Sequence, residues 1–522
     1  MYEYIGVFAE RQVITMENRD VKHIHFMGIC GSGCASIAML AHAAGYRVTG
    51  CDQSVESYYA QELRKLGIQI SLGHSEEHLT EDVDIVAVSP AIFDISPDNA
   101  ELKEAERRGI LMTWQEFMGR FLQDGKRVIA ISGTHGKTTT TFLTGELLID
   151  AGLDPIVEGG SVYKKWGNGG RFGHSNLFVC EADEFNRNFH HYHPEIAVMN
   201  NVEMDHPECY NSYEEVIESF THFVTEGGKL KTLILNGDSE GAMEVLKRAV
   251  ERKLSATKAE PEKKPEDATG SSILGEAVTE SVKNFEGTVR VYAFTRDENK
   301  DFSDVGYPVT KVFYRTEKKE VAGTTFMMEY EGNVHRFFMK LYGEYNVSNA
   351  VVATLITRLS GVDDGTIQES LEKFSGVGRR FDRVGEMRGV PVFDDYAHHP
   401  TEISSVLGMV KDYFPDKKLV AVFEPHQVSR LRLMKQDYAD ALLIADKIII
   451  AKTHLGREIH KNVVPISETE WKEISDKFEY EEDNERIKAI IDSLISAGQC
   501  DIIVVIGAAN SYKISRLLCE SN

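Results

Sequence analysis

The residues best suited to chemistry stand at positions 131–141, which read Ile-Ser-Gly-Thr-His-Gly-Lys-Thr-Thr-Thr-Thr. The run Arg127–Ile131 before them predicts a short buried strand, and Thr139–Ile149 after them predicts a helix. A strand, a glycine-rich turn and a helix form a cradle for phosphate, because backbone N–H groups and the helix N-terminus face the anion. The stretch therefore predicts a nucleotide-phosphate site; a threonine-rich helix start without a ligand is the alternative.

Two side chains of this turn would complete the cradle. Lys137 would add a positive charge beside the phosphates, and the Thr138 hydroxyl can hold Mg²⁺. The turn Gly133–Thr138 is shorter than the common G-x-x-x-x-G-K-[ST] loop. This difference restricts the families of phosphate-binding proteins to which the chain can belong. Since threonine is a poor helix former, local helix stability does not explain four threonines in a row.

Acidic and histidine side chains follow two further predicted strands. Glu181–Glu184 follows the strand Leu177–Cys180, and the pair Asp205-His206 comes after the strand Ile196–Asn200. Ligands of α/β sheets bind at the carboxyl ends of the strands. Mg²⁺ prefers oxygen ligands and commonly takes one or two carboxylates beside a phosphate. These residues therefore predict a metal site near the cradle; a solvated acidic loop and an isolated Asp-His pair are the alternatives.

Two polar clusters lie in the last third of the chain. In Asp394–Glu402, two acids end a predicted strand, two histidines follow, and Pro400 stands at a favoured first position of a helix. This loop could bind polar substrate groups or position a ribose or phosphate, and helix capping is the alternative. Gly378–Arg383 holds three arginines, whose fixed fork geometry suits phosphate or carboxylate. A solvated basic loop is the alternative there.

A second glycine-rich turn, Gly28–Gly33, follows the predicted strand Val21–Met27. The next predicted strand, Arg47–Asp52, ends in an acid, as in dinucleotide-binding folds. The glycine order is G-x-x-G-x-G and not the usual G-x-G-x-x-G. The turn therefore favours a diphosphate ligand without specifying NAD.

The elements that position these residues predict an α/β protein of three domains. A chain of 522 residues is long enough for about three domains of roughly 150 residues each. We expect a Rossmann-like domain over 1–123, a central P-loop ATPase-like domain over 124–376 and a Rossmann-like domain over 377–522. The charged segment at about 253–284 is expected to be a mobile surface insertion. Three later segments alternate apolar and polar residues and are expected to be antiparallel strands: Val289–Phe294, Val309–Tyr314 and Thr325–Tyr330.

Composition excludes several classes of protein. A net charge of −24 argues against general nucleic-acid binding, which needs a basic face. The sequence has no uninterrupted apolar run of about 18 residues, so no membrane span is expected. The first 20 residues lack the pattern of a signal peptide. The seven cysteines include no Cys-x-x-Cys pair, which favours a reduced, cytoplasmic setting.

Taken together, these motifs resemble those of the Mur ligase family, ATP-dependent enzymes that form amide bonds in peptidoglycan synthesis. The resemblance runs from about Val21 to about Leu518, with the insertion as an interruption. The motifs that carry it are Gly133–Thr140, Glu181–Glu184, Asp205-His206, Arg379–Phe381 and Asp394–Glu402.

The resemblance implies a reaction with ATP and Mg²⁺. ATP would phosphorylate the carboxylate of UDP-N-acetylmuramate, and the amino group of an amino acid, L-alanine in the most similar branch, would attack the acyl phosphate. Amide, ADP and phosphate would be the products. The resemblance implies no nucleic-acid partner, no membrane insertion and a monomer or homodimer.

The resemblance also assigns roles to individual residues, taken from the matching motif positions. The implied nucleotide contacts are Gly133, Thr134, His135, Gly136, Lys137, Thr138, Thr139, Asn349, Arg380 and Asp395. The implied metal ligands are Thr138, Glu181 and His206. The implied catalytic residues are Lys137, Glu181, His398 and Arg430. The implied substrate contacts are Gly31, Ser32, Gly33, Asp52, His399 and His426.

Some residues depart from the alanine-adding pattern and leave alternatives open. Gln427 stands where that branch has an arginine suited to the carboxylate of the amino acid, and Tyr345 stands where it has a histidine. Thr221 lies near the position at which other branches carry a modified lysine, which agrees with the alanine-adding branch. A ligase that recycles a murein tripeptide, or one that adds another amino acid, is the first alternative. A nucleotide-binding ATPase without ligation is the second.

Overall fold

A computed structural model describes residues 21–207, 209–258, 289–455, 458 and 463–520. The chain divides into two compact units. The described part of the first unit comprises 21–128, Pro155–Cys180 and Asn188–His193. The second comprises Ile129–Asp154, Glu181–Arg187 and the described residues from Pro194 onward. No helix in these residues is both long enough and apolar enough to cross a membrane.

The first unit contains a parallel sheet in the order β3-β2-β1-β4-β5. Every residue of β1 and of β4 is buried, as expected for strands covered on both faces. The order is that of a dinucleotide-binding sheet, so the Rossmann-like prediction is confirmed. The strands are β1 (His23–Met27), β2 (Arg47–Asp52), β3 (Gln69–Leu72), β4 (Ile85–Val88) and β5 (Leu111–Thr113).

Helices of the first unit follow these strands, beginning with α1, which starts at the glycine-rich turn. They are α1 (Ser32–Ala43), α2 (Tyr58–Lys65), α3 (Ala91–Ile95), α4 (Ala100–Arg107) and α5 (Trp114–Phe117). The strand β6 (Arg127–Ser132) begins in this unit and ends in the second.

Three more strands join the first unit: β7 (Ile156–Tyr163), β8 (Asn168–Arg171) and β9 (Leu177–Glu181). β7 pairs antiparallel with β8 and parallel with β9. Helix α1 packs against β7 and β8, where a Cβ on Gly170 would lie 3.3 Å from the Leu40 side chain. The absence of a side chain at this position therefore lets the helix approach the strand.

The second unit contains the sheet run β15-β14-β13-β12-β11-β10-β6. Its elements after β6 are α6 (Lys137–Asp150), β10 (Ile196–Met199), α7 (Tyr213–Thr225), β11 (Thr232–Asn236), α8 (Glu240–Lys258), β12 (Arg290–Thr295), β13 (Val309–Glu320), β14 (Gly323–Tyr330), β15 (Asn333–Met339), α9 (Glu344–Leu359) and α10 (Asp364–Lys373).

One strand prediction in this sheet is wrong. β13 and β14 are antiparallel as expected, and β15, which was not predicted, pairs antiparallel with β14, but β12 runs parallel to both β11 and β13. Residues 296–308 connect β12 to β13 as a long crossover with a 3₁₀ turn at Ser303–Val305. A crossover of this kind returns the chain in the parallel direction, whereas an antiparallel pair is commonly joined by a short hairpin.

The second unit also contains a six-stranded sheet in the order β16-β17-β21-β18-β19-β20. Only β16 is antiparallel to its neighbour. Its elements are β16 (Asp382–Met387), β17 (Val390–Asp395), α11 (Pro400–Tyr413), β18 (Leu419–Phe423), α12 (Val428–Leu433), α13 (Lys435–Leu442), β19 (Lys447–Ile450), α14 (Glu468–Lys472), β20 (Phe478–Tyr480), α15 (Asn484–Ser496), β21 (Ile502–Ile506) and α16 (Ser511–Cys519).

The segment expected to be an insertion begins inside a helix. α8 extends to Lys258, so the first residues of the predicted 253–284 segment are helical. The remainder of that segment lies outside the described residues. The domain boundaries at 123 and 376 stay predictions.

Candidate active site

The turn between β6 and α6 has the backbone conformation that its glycines predict. Gly133 and Gly136 have φ values of +128° and +83°, a region that favours glycine. A Cβ on Gly136 would lie 2.5 Å from Oδ1 of Asn349, and one on Gly133 would lie 3.0 Å from the Asn200 backbone. The backbone N–H of His135 donates to the side chain of Asn201 at 2.7 Å. Neighbouring asparagines therefore fix the turn from two sides.

Lys137 is the first residue of α6 and is buried within the turn. Its ammonium donates to the carbonyl oxygens of Gly133 and Thr134, at 2.7 and 3.3 Å, and to Oε2 of Glu184 at 2.8 Å. Burial favours the neutral amine, but the carboxylates around it, Glu184 first among them, outweigh this effect and raise the pKa of Lys137. The side chain is thus a fixed positive charge at the helix N-terminus.

Acidic groups surround the start of the same helix. The Thr138 hydroxyl donates to Oε2 of Glu181 at 2.9 Å. Asp183, Glu184 and His206 each place a ligand atom within 4.8 Å of those of the other two. Carboxylate and hydroxyl oxygens at a phosphate cradle are suitable donors for Mg²⁺, so this set fits the cation. Asp183 and Glu184 are therefore further candidate ligands beside the predicted Thr138, Glu181 and His206.

Thr139 lies further along α6 and Asn349 lies on α9, and both side chains are buried. Oδ1 of Asn349 accepts a hydrogen bond from the hydroxyl of Thr140 at 3.1 Å, which joins α9 to α6. Asn349 thus lies beside Gly136 of the turn and bonds to Thr140 of α6. Its predicted contact with adenine stays a prediction.

His135 connects the turn to α11, the helix that follows β17 of the six-stranded sheet. Its Nδ1 lies 3.2 Å from Oε1 of Glu402 and its Nε2 lies 3.5 Å from Oε2 of Glu203. Burial lowers the pKa of His135, but hydrogen bonds to these two carboxylates outweigh that effect and raise it to about 9. The imidazolium is therefore held between Glu203, which follows β10, and Glu402 of α11. The Thr401 hydroxyl also donates to Glu203 at 3.3 Å.

The raised pKa of His135 predicts a specific dependence of stability on pH. An unfolded histidine has a pKa of about 6.5, so this contribution is fully present below that pH and is lost as pH rises through about 9. We expect urea titrations of the wild type to lose up to about 3 kcal/mol of unfolding free energy over this window through this group. His135→Gln should flatten the slope, and the exposed His42→Gln should leave it unchanged. An equal slope in all three proteins would contradict the assignment.

Arg430 forms a buried ion pair with an acid at the end of β10. Its Nη2 lies 2.8 Å from Oδ1 of Asp205, and the two side chains are 4% and 8% exposed. Burial raises the pKa of Asp205, but the neighbouring His206 and Arg430 outweigh it and lower the pKa. The pair joins α12 to the loop that follows β10, next to the candidate metal ligands.

His398 lies in the loop between β17 and α11, beside the same ion pair. Its Nδ1 is 3.2 Å from the carbonyl oxygen of Tyr396, which can only accept, so Nδ1 carries the proton of the neutral ring. Burial lowers the pKa of His398. Its Nε2 is therefore a proton acceptor at neutral pH. The Tyr438 hydroxyl fixes this loop by donating to the His398 carbonyl at 2.6 Å.

Asp395 ends β17, and Arg380 lies in the segment just before β16. The Arg380 guanidinium lies 3.8 Å from Oε1 of Glu402 and over the Tyr396 ring. Asp395 accepts from the backbone N–H groups of Phe381 and Ala397, each at 2.7 Å. Burial raises the pKa of Asp395 to about 6. In this structure Asp395 fixes the loop that carries Arg380, and its predicted nucleotide contact stays a prediction.

The two histidines predicted to contact the substrate, His399 and His426, have different surroundings. His399 is the N-cap of α11, where Nδ1 accepts from the Thr401 N–H at 3.3 Å and Glu402 completes a capping box. The capping alternative therefore accounts for its position. The His426 ring stacks on that of His454, with centroids 5.5 Å apart. Their predicted substrate contacts are not tested by these packing arrangements.

The predicted diphosphate residues lie in the first unit. Gly31 is the N-cap of α1, Ser32 begins the helix, and a Cβ on Gly33 would come within 2.8 Å of the Trp114 ring. Oδ2 of Asp52 accepts from the Cys30 N–H at 2.9 Å. Asp52 therefore stabilises the turn directly, and the open helix N-terminus is suited to an anion.

Sequence reasoning missed the partners that position the predicted groups. His135 is paired with Glu203 and Glu402, and Lys137 is paired with Glu184. Each glutamate is far in sequence from the residue it contacts. The signals available were modest: Glu402 stands at the third position of a proline-led helix, and Glu184 ends the acidic motif. Asn200 and Asn201, directly after β10, were a further polar signal, and no contact with the turn was predicted from them.

Family comparisons agree with the geometry. Models of the "Mur ligase family, catalytic domain", the "Mur ligase middle domain" and the "Mur ligase, glutamate ligase domain" match residues 23–126, 131–357 and 379–509. The chain belongs to the Mur ligase family. It is thus an ATP-using ligase that forms a C–N bond, and its three-domain α/β architecture is that of the family.

Several relatives match over nearly their whole length. The UDP-N-acetylmuramate–L-alanine ligase of Aquifex aeolicus is 31% identical, with 94% of this chain and 96% of that protein covered. The protein of the same name from Caldanaerobacter subterraneus is 30% identical, with 96% and 98% covered.

Solved structures support the fold. UDP-N-acetylmuramate-alanine ligase MurC from Thermotoga maritima superposes with a TM-score of 0.69 at 22% identity, covering 95% of this chain and 98% of that one. A murein peptide ligase from Psychrobacter arcticus superposes with a TM-score of 0.60 at 22% identity, with the same coverage.

Proposed function

We propose that this enzyme joins L-alanine to the carboxylate of UDP-N-acetylmuramate at the expense of ATP, in peptidoglycan synthesis. The observation that carries the proposal is the junction of the two sheets of the second unit. There Lys137 and its acidic neighbours meet Arg430 and His398 through the Asp205 ion pair and the His135 clamp. The full-length relatives named for this reaction support the choice of substrates.

The first step would be transfer of the γ-phosphoryl group. A carboxylate oxygen of the UDP-sugar attacks γ-phosphorus, the bond to the ADP oxygen breaks, and an acyl phosphate forms. Phosphoryl transfer depends mainly on positioning and on neutralising charge. Lys137 and the turn Gly133–Thr138 supply both, because the ammonium and the backbone N–H groups face the same anion.

Mg²⁺ belongs to this proposal because the donors around α6 suit it. Thr138, Glu181, Asp183, Glu184 and His206 are the residues that would hold it. When bound, the cation would neutralise phosphate charge. Lys137 already pairs with Glu184, so the acids must be shared between the ammonium and any cation that binds.

The second step would be attack of the amine on the acyl carbon. The alanine amino group forms the C–N bond, a tetrahedral intermediate collapses, and the acyl C–O bond breaks to release phosphate. Nε2 of neutral His398 would accept the proton that the amine loses, because Nδ1 bonds to the Tyr396 carbonyl oxygen. Arg430 lies beside it and would stabilise negative charge on the acyl phosphate.

The first unit would hold the UDP-sugar. Gly31, Ser32 and Gly33 form the start of α1, and their position at a helix N-terminus supports a diphosphate contact. Asp52 keeps this turn in place. A cytoplasmic reaction fits the cysteines, since none of the seven, all of which are described, forms a disulfide.

A peptide substrate is the second candidate, and Gln427 favours it. Gln427, which follows Pro425-His426, matches the motif position at which the resemblance implies an arginine in alanine-adding enzymes. It has a φ of +60° and is the N-cap of α12. The nearby Arg430 is already paired with Asp205. A ligase without a separate arginine for the carboxylate of free alanine could accept a murein tripeptide instead.

Phosphate release from ATP distinguishes these functions. We expect release only when UDP-N-acetylmuramate and L-alanine are both present, with equal amounts of ADP and UDP-sugar amide formed. L-Serine, glycine and the tripeptide L-alanyl-γ-D-glutamyl-meso-diaminopimelate should support at most a small fraction of that rate. Release with UDP-N-acetylmuramate and the tripeptide, but not with UDP-N-acetylmuramate and L-alanine, would favour recycling. Release without UDP-N-acetylmuramate would identify an ATPase.

A further inference from the structure

A buried cluster in the first unit combines a thiol, imidazoles and a carboxylate. His25 lies on β1, Cys51 on β2, His78 in a 3₁₀ turn after β3 and Glu101 on α4. The ligand atoms of these four residues all lie within 4.8 Å of one another. Cys51 and Glu101 are fully buried, and His25 is 2% exposed. The cluster has no part in the reaction proposed above.

The separations within the cluster are close to, or slightly shorter than, the distances between ligand atoms in a coordination sphere. Nε2 of His25 lies 2.9 Å from Oε1 of Glu101, Sγ of Cys51 lies 3.2 Å from Oε2, and Nδ1 of His78 lies 3.3 Å from Oε1. Ligand atoms around a tetrahedral cation with bonds of about 2.0 to 2.3 Å are about 3.3 to 3.8 Å apart. Small movements of the side chains would therefore admit a cation at the centre.

One nitrogen points into the cluster without a hydrogen bond. Nδ1 of His25 is 2.9 Å from the Thr49 hydroxyl, which fixes the ring and directs Nε2 towards Glu101. Among the described residues, buried Nε2 of His25 has no partner with hydrogen-bond geometry despite its proximity to the carboxylate. Metal-binding histidines commonly have this arrangement, with one nitrogen held by a neighbour and the other left for the metal.

Several groups crowd the Glu101 carboxylate. The Cys51 thiol, the His78 ring and the N–H of Ser75 lie within hydrogen-bond distance of it, and ring nitrogens of His25 and His74 lie 2.9 and 3.5 Å away. Sγ of Cys51 also lies 3.1 Å from Nδ1 of His74. The donors thus compete for one acceptor and for one another.

We propose that His25, Cys51, His78 and Glu101 bind a Zn²⁺-type divalent cation at a structural site. The thiolate and imidazoles select a borderline or soft cation over Mg²⁺, and four protein ligands fill a tetrahedral shell. One thiolate, one carboxylate and two neutral imidazoles balance the charge of a divalent ion. The site joins β1, β2, α4 and the turn after β3, and the partly exposed His78 provides an entry path.

Cobalt absorption provides the test, because Co²⁺ bound to a thiolate has a near-ultraviolet charge-transfer band that oxygen ligands do not give. We expect the full-length wild type to bind Co²⁺ with this band, to lose it on addition of Zn²⁺ and to keep it in excess Mg²⁺. Cys51→Ser should abolish the band. The matched control is Cys500→Ser, which changes a buried thiol just before β21 and should retain the band.

A second variant keeps the test decisive if Cys51→Ser fails to fold. His78 is the most exposed of the four ligands, so His78→Ala should fold and weaken Co²⁺ binding at least tenfold, and Zn²⁺ should raise its melting temperature less than that of the wild type. No charge-transfer band in the wild type, or an equal band and affinity in the variants, would overturn the proposal.

Discussion

Lys137→Ala is expected to lower kcat for ligation by about 10³-fold, because it removes the only lysine held at the start of α6. The side chain contacts Gly133, Thr134 and Glu184 within the turn. His135 is the other cation of the turn, but Glu203 and Glu402 already pair with it, so it does not replace the Lys137 charge at the phosphates. Steady-state phosphate release with saturating UDP-sugar and amino acid would measure the loss.

The fold should survive this substitution. Burial already raises the pKa of Glu184, and removal of the Lys137 ammonium takes away the largest influence that lowers it. Glu184 can therefore become neutral and remain buried. Lys472→Ala, an exposed lysine paired with Glu468, is the control and should keep wild-type activity. A Lys137→Ala variant that is folded and nearly as active as the wild type would refute the ATP-site assignment.

Arg430→Met is expected to lower kcat/KM by about 10²-fold and to destabilise the second unit. The substitution leaves Asp205 buried without its ion-pair partner, and breaking a buried pair commonly costs about 3–5 kcal/mol. Arg430→Lys should restore much of the stability but less of the activity, since an ammonium lacks the planar fork. Kinetics and urea unfolding of the same preparations separate the two effects.

A neighbouring arginine provides the control for Arg430. Arg432 lies on the same short helix, is exposed and contacts the carbonyl oxygens of Val464 and Pro465. Arg432→Met should leave kcat/KM within about twofold of the wild type. Equal losses in Arg430→Met and Arg432→Met would mean that α12 matters only as a structural element.

Local patterns in the sequence predicted the elements that hold the site. Arg47–Asp52 is a strand with the predicted bounds, and the turn Gly133–Thr138 lies between a strand and a helix as expected. Pro400 begins a helix as its position predicted. These features depend on residues close together in sequence, where hydrophobic runs, glycine and proline act directly on the backbone.

Contacts distant in sequence could not be predicted in the same way. His135 and Glu402 are 267 positions apart, and nothing near either residue indicates the other. The direction of β12 depended on whether residues 296–308 formed a hairpin or a crossover, which alternation of side chains does not reveal. The His25 cluster likewise draws its ligands from separate elements that only the folded sheet brings together.

An isotope-transfer measurement tests the central claim of ligation through an acyl phosphate. UDP-N-acetylmuramate labelled with ¹⁸O in its carboxylate would be incubated with ATP, L-alanine and the enzyme, and the released phosphate analysed by mass spectrometry. Because the acyl C–O bond breaks in the second step, we predict that each phosphate carries one carboxylate oxygen. Unlabelled phosphate formed together with ADP would contradict the account and indicate hydrolysis of ATP by water.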